Sequence, residues 1–135
     1  MEPFVSYPFN CDTPTSQLPF SPCVVVGRLV FVSGQASVDK HGTIVSDTFE
    51  GEFRRTMENL RKVLHTAGCD LANVVQTRNY VRDHADLPSY NQLYREYFAE
   101  PFPTRTTITN CLPPTLRYEV EVVAVKPLDD ANLRL

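Results

Sequence analysis

The order of elements legible in the chain, β-β-α-β-α-β-β, predicts an α+β fold: one mostly antiparallel sheet with both helices on one face. Three observations carry it. Valine-rich runs flank Gly27-Arg28, an apolar stripe of helical period runs from Phe49 to Leu64, and residues 116–125 read as a long alternating strand. At 135 residues the chain has the length of one domain, expected to span 1–135. With 42% hydrophobic and 21% charged residues it is ordinary globular material, and folding requires neither disulfide nor metal.

Prolines at 3, 8, 14, 19 and 22 oppose regular helix and predict an irregular arm over residues 1–18. Cys23–Val26 and Leu29–Ser33 about Gly27-Arg28 read as a hairpin ending near Ser33-Gly34-Gln35. Asp39-Lys40-His41-Gly42 is a turn, and Asp47-x-x-Glu50 resembles a capping box that opens a helix. Phe49, Phe53, Met57, Leu60, Val63 and Leu64 form its apolar stripe, with Glu52, Arg55, Glu58 and Lys62 mostly opposite, and Gly68 stops it. Residues 74–83 read as a strand in which Val75, Thr77, Asn79 and Val81 share a face. Asp86, Leu87 and Pro88 open a second helix with Leu87, Tyr90, Leu93 or Tyr94, Tyr97 and Phe98 on its apolar side. A β-rich run at 105–112 and a strand at 116–125 follow, separated by Pro113-Pro114, and the tail over 128–135 is expected to be loose. In the last strand Tyr118, Val120, Val122 and Ala124 share one side. The other mixes Glu119 and Glu121 with Val123 and Val125, which suggests a second sheet face covered by self-association.

The charge balance, 13 basic against 16 acidic residues, gives a net −3, and no basic cluster is present, so nucleic acid is not an expected partner. No apolar run reaches the roughly 18 residues of a membrane span, and the N-terminus lacks a signal-peptide pattern, which points to the cytoplasm. Four cysteines without a C-x-x-C pair and three scattered histidines predict no metal site. Cys23 and Cys69 read as small buried hydrophobes; Cys111 reads as buried or as a reactive thiol at a subunit junction.

Neither a G-x-G-x-x-G loop, a P-loop, an H-E-x-x-H helix nor a G-x-S-x-G elbow occurs, so no cofactor is expected. What remains is Arg105, after Phe102-Pro103-Thr104, and Glu119 in a strand otherwise fit for burial. On adjoining strands they suit clamping an anionic substrate and handling a proton, or a plain cross-strand ion pair.

The order of motifs goes further. Val-Phe-Val-Ser33-Gly34-Gln35, Met57-Glu-Asn59-Leu, Ala67-Gly68-Cys69, Asn73-Val-Val-Gln-Thr77, Tyr90-Asn91-x-x-Tyr94-x-x-Tyr97-Phe98, Phe102-Pro103-Thr104-Arg105 and Tyr118-Glu119-Val-Glu121 together resemble the reactive intermediate (imine) deaminase family, RidA/YjgF, over roughly residues 19–127. The resemblance implies a chorismate-mutase-like two-layer sandwich and a homotrimer with clefts between subunits. It implies hydrolysis of 2-imino or enamino acids, such as 2-aminoacrylate and 2-iminobutanoate, to 2-keto acids and ammonia without a cofactor. Arg105 matches the residue that binds the substrate carboxylate and Glu119 the one that orients water; Ser33, Asn91 and Thr107 fall near the cleft.

The chain departs from the family pattern where Leu18-Pro19-Phe20 replaces a Gly-Pro-Tyr, so Phe20 offers an apolar wall without a hydroxyl. Its 106–112 segment is one residue short, with Thr107 where many relatives carry Cys or Ala. Arg78 reads as a solvent-facing strand residue or as a contact for a second carboxylate. A specialised enamine deaminase with a 2-aminomuconate-like substrate, and a non-catalytic trimer binding small carboxylates, are the competing readings.

Overall fold

The computed structural model describes residues 3–128; all but Leu128 of the expected loose tail lies outside the described residues. The strands are β1 (Val5–Ser6), β2 (Cys23–Val26), β3 (Leu29–Ala36), β4 (Val74–Val81), β5 (Thr104–Thr109) and β6 (Tyr118–Val125); the helices are α1 (Phe49–Thr66) and α2 (Leu87–Tyr97). They form one six-stranded sheet in the order β1-β2-β3-β6-β4-β5. Every neighbouring pair is antiparallel except β4 and β5, which run parallel through α2 as their crossover. The α+β class is therefore as predicted, with both helices against one side of the sheet.

The hairpin forms because Gly27 takes φ +60, which a two-residue turn between twisted strands requires. The stripe of α1 is buried, with Phe53, Met57, Leu60 and Leu64 at 0% exposure. Each such side chain contributes about 1.5–3 kcal/mol over leaving it in water. Across the layer Phe53 packs 4.5 Å, centroid to centroid, from Tyr118, and Tyr90 lies 5.9 Å from the same ring.

Four expectations need correction. The N-terminal arm is not wholly irregular, since Val5 and Ser6 pair with Val26 and Val25 at the sheet edge. Helix α1 is capped by Thr48, whose hydroxyl accepts from the Gly51 amide at 3.1 Å, not by Asp47. Glu52 does not face water: it is 1% exposed and accepts from the amides of Asp47 (3.0 Å) and Arg117 (2.9 Å), joining the start of α1 to the entry of β6. Val75 leaves the buried face of β4 because the register with β6 shifts between Val74 and Gln76, a bulge that turns Val74 inward instead. Thr77, Asn79 and Val81 are buried as expected.

Among the described residues no helix is long and apolar enough to cross a membrane, and no group of three or more His, Cys, Asp or Glu is placed to hold a metal.

Candidate active site

The polar side chains of β4 build the floor on the helix side. Thr77 Oγ1 and the Tyr94 hydroxyl lie 2.8 Å apart, Asn79 Nδ2 donates to Thr77 Oγ1 at 3.0 Å, and the Tyr118 hydroxyl donates to Asn79 Oδ1 at 2.6 Å. A chain of satisfied groups in a dry layer fixes side-chain positions. It fixes the aromatic rings of α2 above it.

On those rings rests Arg105. Its guanidinium carbon is 4.9 Å from the Tyr90 centroid and 5.0 Å from that of Tyr94, a cation–π seat on two faces. The Tyr90 hydroxyl lies 2.7 Å from Thr107 Oγ1, so Thr107 sets the ring that carries Arg105. Burial pushes the Tyr90 phenol up to about 12, so both hydroxyls stay neutral beside the cation. Among the described residues no carboxylate pairs with Arg105. Arg105, Asn91, Tyr94 and Phe102 line a cavity of about 250 Å³ with Arg95 and Pro103.

Glu119 stands elsewhere. β5 and β6 are not adjoining, since β4 lies between them. Arg105 faces α2, while Glu119, next to inward Tyr118, faces the open side of the sheet. Two strand spacings make roughly 10 Å even before the sheet thickness is added. The expected clamp does not form within one chain.

The carboxylate of Glu119 folds over Gly34, where a Cβ would come within 2.7 Å of Oε2. Burial, then the charge of Glu121, pushes its carboxyl above the usual range. Glu121 accepts from the Tyr80 hydroxyl, which that bond pushes up to about 12. Glu119 borders a cavity of about 610 Å³ beneath the N-terminal arm, together with Ser33 and Phe20. The Ser33 hydroxyl donates to Ser21 O at 2.6 Å and its amide to Pro22 O at 3.0 Å, so this side chain holds the arm.

The predicted residues thus divide into two groups: Arg105, Asn91 and Thr107 on the helix side, and Glu119, Ser33 and Phe20 around the cavity beneath the arm. Arg78 is exposed on the open face opposite Glu121 and belongs to neither. Cys23 and Cys69 are buried as expected, and Cys111 is exposed, which overturns the buried reading for it. The stacking role of Tyr90 and Tyr94 escaped the sequence reading because their i, i+4 spacing is equally that of core residues. Tyr80 and Glu121 were missed as a bonded pair because they meet diagonally across strands, Tyr80 standing opposite Glu119 and Glu121 opposite Arg78 in the register.

A guanidinium seated on two aromatic faces on the helix side and a half-buried carboxylate under an arm on the other face of the sheet mark a small α+β protein with two separate charged sites. The profile of the family described as Endoribonuclease L-PSP matches residues 11–126, and the chain belongs to that family, the RidA/YjgF family. The human 2-iminobutanoate/2-iminopropanoate deaminase is 36% identical over 118 residues, 85% of this chain and 86% of that protein. A putative endoribonuclease of Thermotoga maritima superposes with a TM-score of 0.80 at 32% identity, covering 94% of this chain and 99% of that one. The TdcF structure from E. coli with bound serine superposes with a TM-score of 0.79 at 26% identity, covering 90% and 99%.

Proposed function

We propose that the protein is a cofactor-independent deaminase that hydrolyses 2-imino and enamino acids in clefts shared between copies of a homotrimer in the cytoplasm. The observation that carries this is Arg105, held on two aromatic faces with no carboxylate among the described residues of its own chain to satisfy it. A planar fork so placed suits a ligand carboxylate in two parallel hydrogen bonds. The names of the relatives, imine deaminases among them, and the serine bound to TdcF agree with a small amino-acid-like ligand.

The half-sites lie on opposite faces, so one cleft takes Arg105, Asn91 and Thr107 from one copy and Glu119 from its neighbour. In the cleft Arg105 fixes the carboxylate and Glu119 orients water toward the imine carbon. The water oxygen bonds to that carbon and the C–N bond breaks. Both water protons end on nitrogen, giving R–CO–COO⁻ and NH₃ from R–C(=NH)–COO⁻ and H₂O. The Glu119 carboxylate, made a stronger base by burial and by the Glu121 charge, accepts the proton of the attacking water and returns it to the leaving nitrogen. Imines already hydrolyse in water, so orientation and modest charge stabilisation suffice.

The test uses an amino-acid oxidase to generate imines and follows keto-acid release. Arg105→Ala is expected to lower kcat/KM about 100-fold or more, as loss of charged hydrogen bonds worth about 1.5–3 kcal/mol each implies. Unchanged activity overturns the assignment. Co-assembling Arg105→Ala with Glu119→Gln chains is expected to restore activity in about a quarter of the clefts, because only mixed neighbours bring both intact residues together. No restoration rejects the shared cleft.

A further inference from the structure

The cavity over Glu119 is far larger than a two- or three-carbon imine requires. At roughly 30 Å³ for each water-sized group, the six heavy atoms of 2-iminopropanoate occupy on the order of 200 Å³. The cavity holds about 610 Å³, in the range of pockets that enclose much larger ligands. Its wall is a built structure. The arm is latched at one end by Thr15, whose amide donates to Lys40 O at 3.1 Å, and at the other by Ser33, which binds Ser21 O and Pro22 O. At the first latch a Cβ on Gly42 would meet Thr15 O at 2.2 Å, so the close approach depends on glycine. Between the latches Leu18 and Phe20 are left 67% and 51% exposed, and across the cavity Ile44 is 40% exposed. Three large apolar side chains unburied around one cavity, with a candidate catalytic carboxylate at its border, form an apolar subsite in want of an apolar group.

We infer that Leu18, Phe20 and Ile44 form a side-chain specificity pocket, and that the preferred substrates are 2-imino acids with bulky apolar side chains rather than the short imines of alanine or 2-aminobutyrate. This rests on the deaminase reading for the chemistry, while the pocket itself rests on the arm. The substrate's imine carbon sits at Glu119, its carboxylate points to the neighbour's Arg105, and its side chain runs under the arm. Burial of each further methylene raises kcat/KM about fourfold until the pocket is filled.

The test compares imines generated from alanine, 2-aminobutyrate, norvaline, leucine and phenylalanine, and in parallel measures binding of the matching 2-keto acids by calorimetry. Wild type is expected to favour leucine-derived over alanine-derived imine by at least tenfold. In Phe20→Ala and in Leu18→Ala, both exposed enough to leave the core intact, that ratio falls toward one. Rates independent of side-chain length, as when a neighbouring copy fills the cavity, overturn the inference and leave the deaminase reading standing. No hydrolysis of any imine, with keto-acid binding that still strengthens with side-chain length and weakens in Phe20→Ala, overturns the deaminase reading and upholds the pocket. Absence of both rejects the two together.

Discussion

Glu119 is kept where it costs stability. Burial and the Glu121 charge raise its carboxyl, so the folded chain holds this proton more tightly than the unfolded one. By linkage, stability falls as pH rises from the ordinary glutamate value of about 4.3 to the raised one, and the loss persists in full above it. Glu119→Gln is therefore expected to raise Tm at pH 7 by about one to three degrees while removing deamination. A scan at pH 4, where the wild-type carboxyl is protonated, should show the two proteins closer together. A lower Tm for the variant at pH 7 would contradict the account. Arg105 and Glu119 could both be singled out in the sequence as candidates. Their faces could not be read there, because β4 is inserted between their strands and neither parity nor spacing within one strand reveals that.

At the scale of elements, Glu52, 1% exposed, joins α1 to β6 by accepting from two backbone amides. Glu52→Ala removes a buried charged acceptor from two part-buried amide bonds, and a loss of about 3 kcal/mol is expected in urea denaturation with the slope unchanged. Thr48→Ala, which removes one cap bond at the same helix end, is expected to cost only about 1 kcal/mol. If the two variants are equally stable, Glu52 is not the junction described. The elements themselves were largely readable: the apolar stripe gave α1, and period-two alternation gave β6 to within two residues. What failed was local. Glu52 was placed with the polar side of α1 because its charge outweighed its position, although it lies three places from Phe49 and so shares its face. Val75 was placed inward because alternation was counted through a bulge, which has no signature in a Val-Val pair.

For the whole molecule, the open sheet face carries Phe31 at 43% and Ile108 at 45% exposure beside Tyr80 and Glu121. Self-association over this face is the expectation from the mixed pattern of β6, and the proposed shared cleft depends on it. Phe31→Asp is expected to give monomers by light scattering and, with them, loss of deamination despite intact Arg105 and Glu119. Monomers that remain active would refute the shared cleft.

The sheet order also bears on how the chain comes to be folded as it is synthesised. β6, the last of the described strands, lies in the middle of the sheet, with β3 on one side and β4 on the other. Until it arrives, the β1-β2-β3 unit with α1 and the β4-α2-β5 unit have no strand pairing between them, and the side chains that will cover Val120 and Val122 face water. The nascent chain thus carries two incomplete half-sheets with open, apolar edges, the condition that favours chaperone capture and intermolecular strand pairing. Commitment to the native state waits for the final strand to be released, and a ribosome stalled before residue 118 should hold a chain that is protease-sensitive throughout.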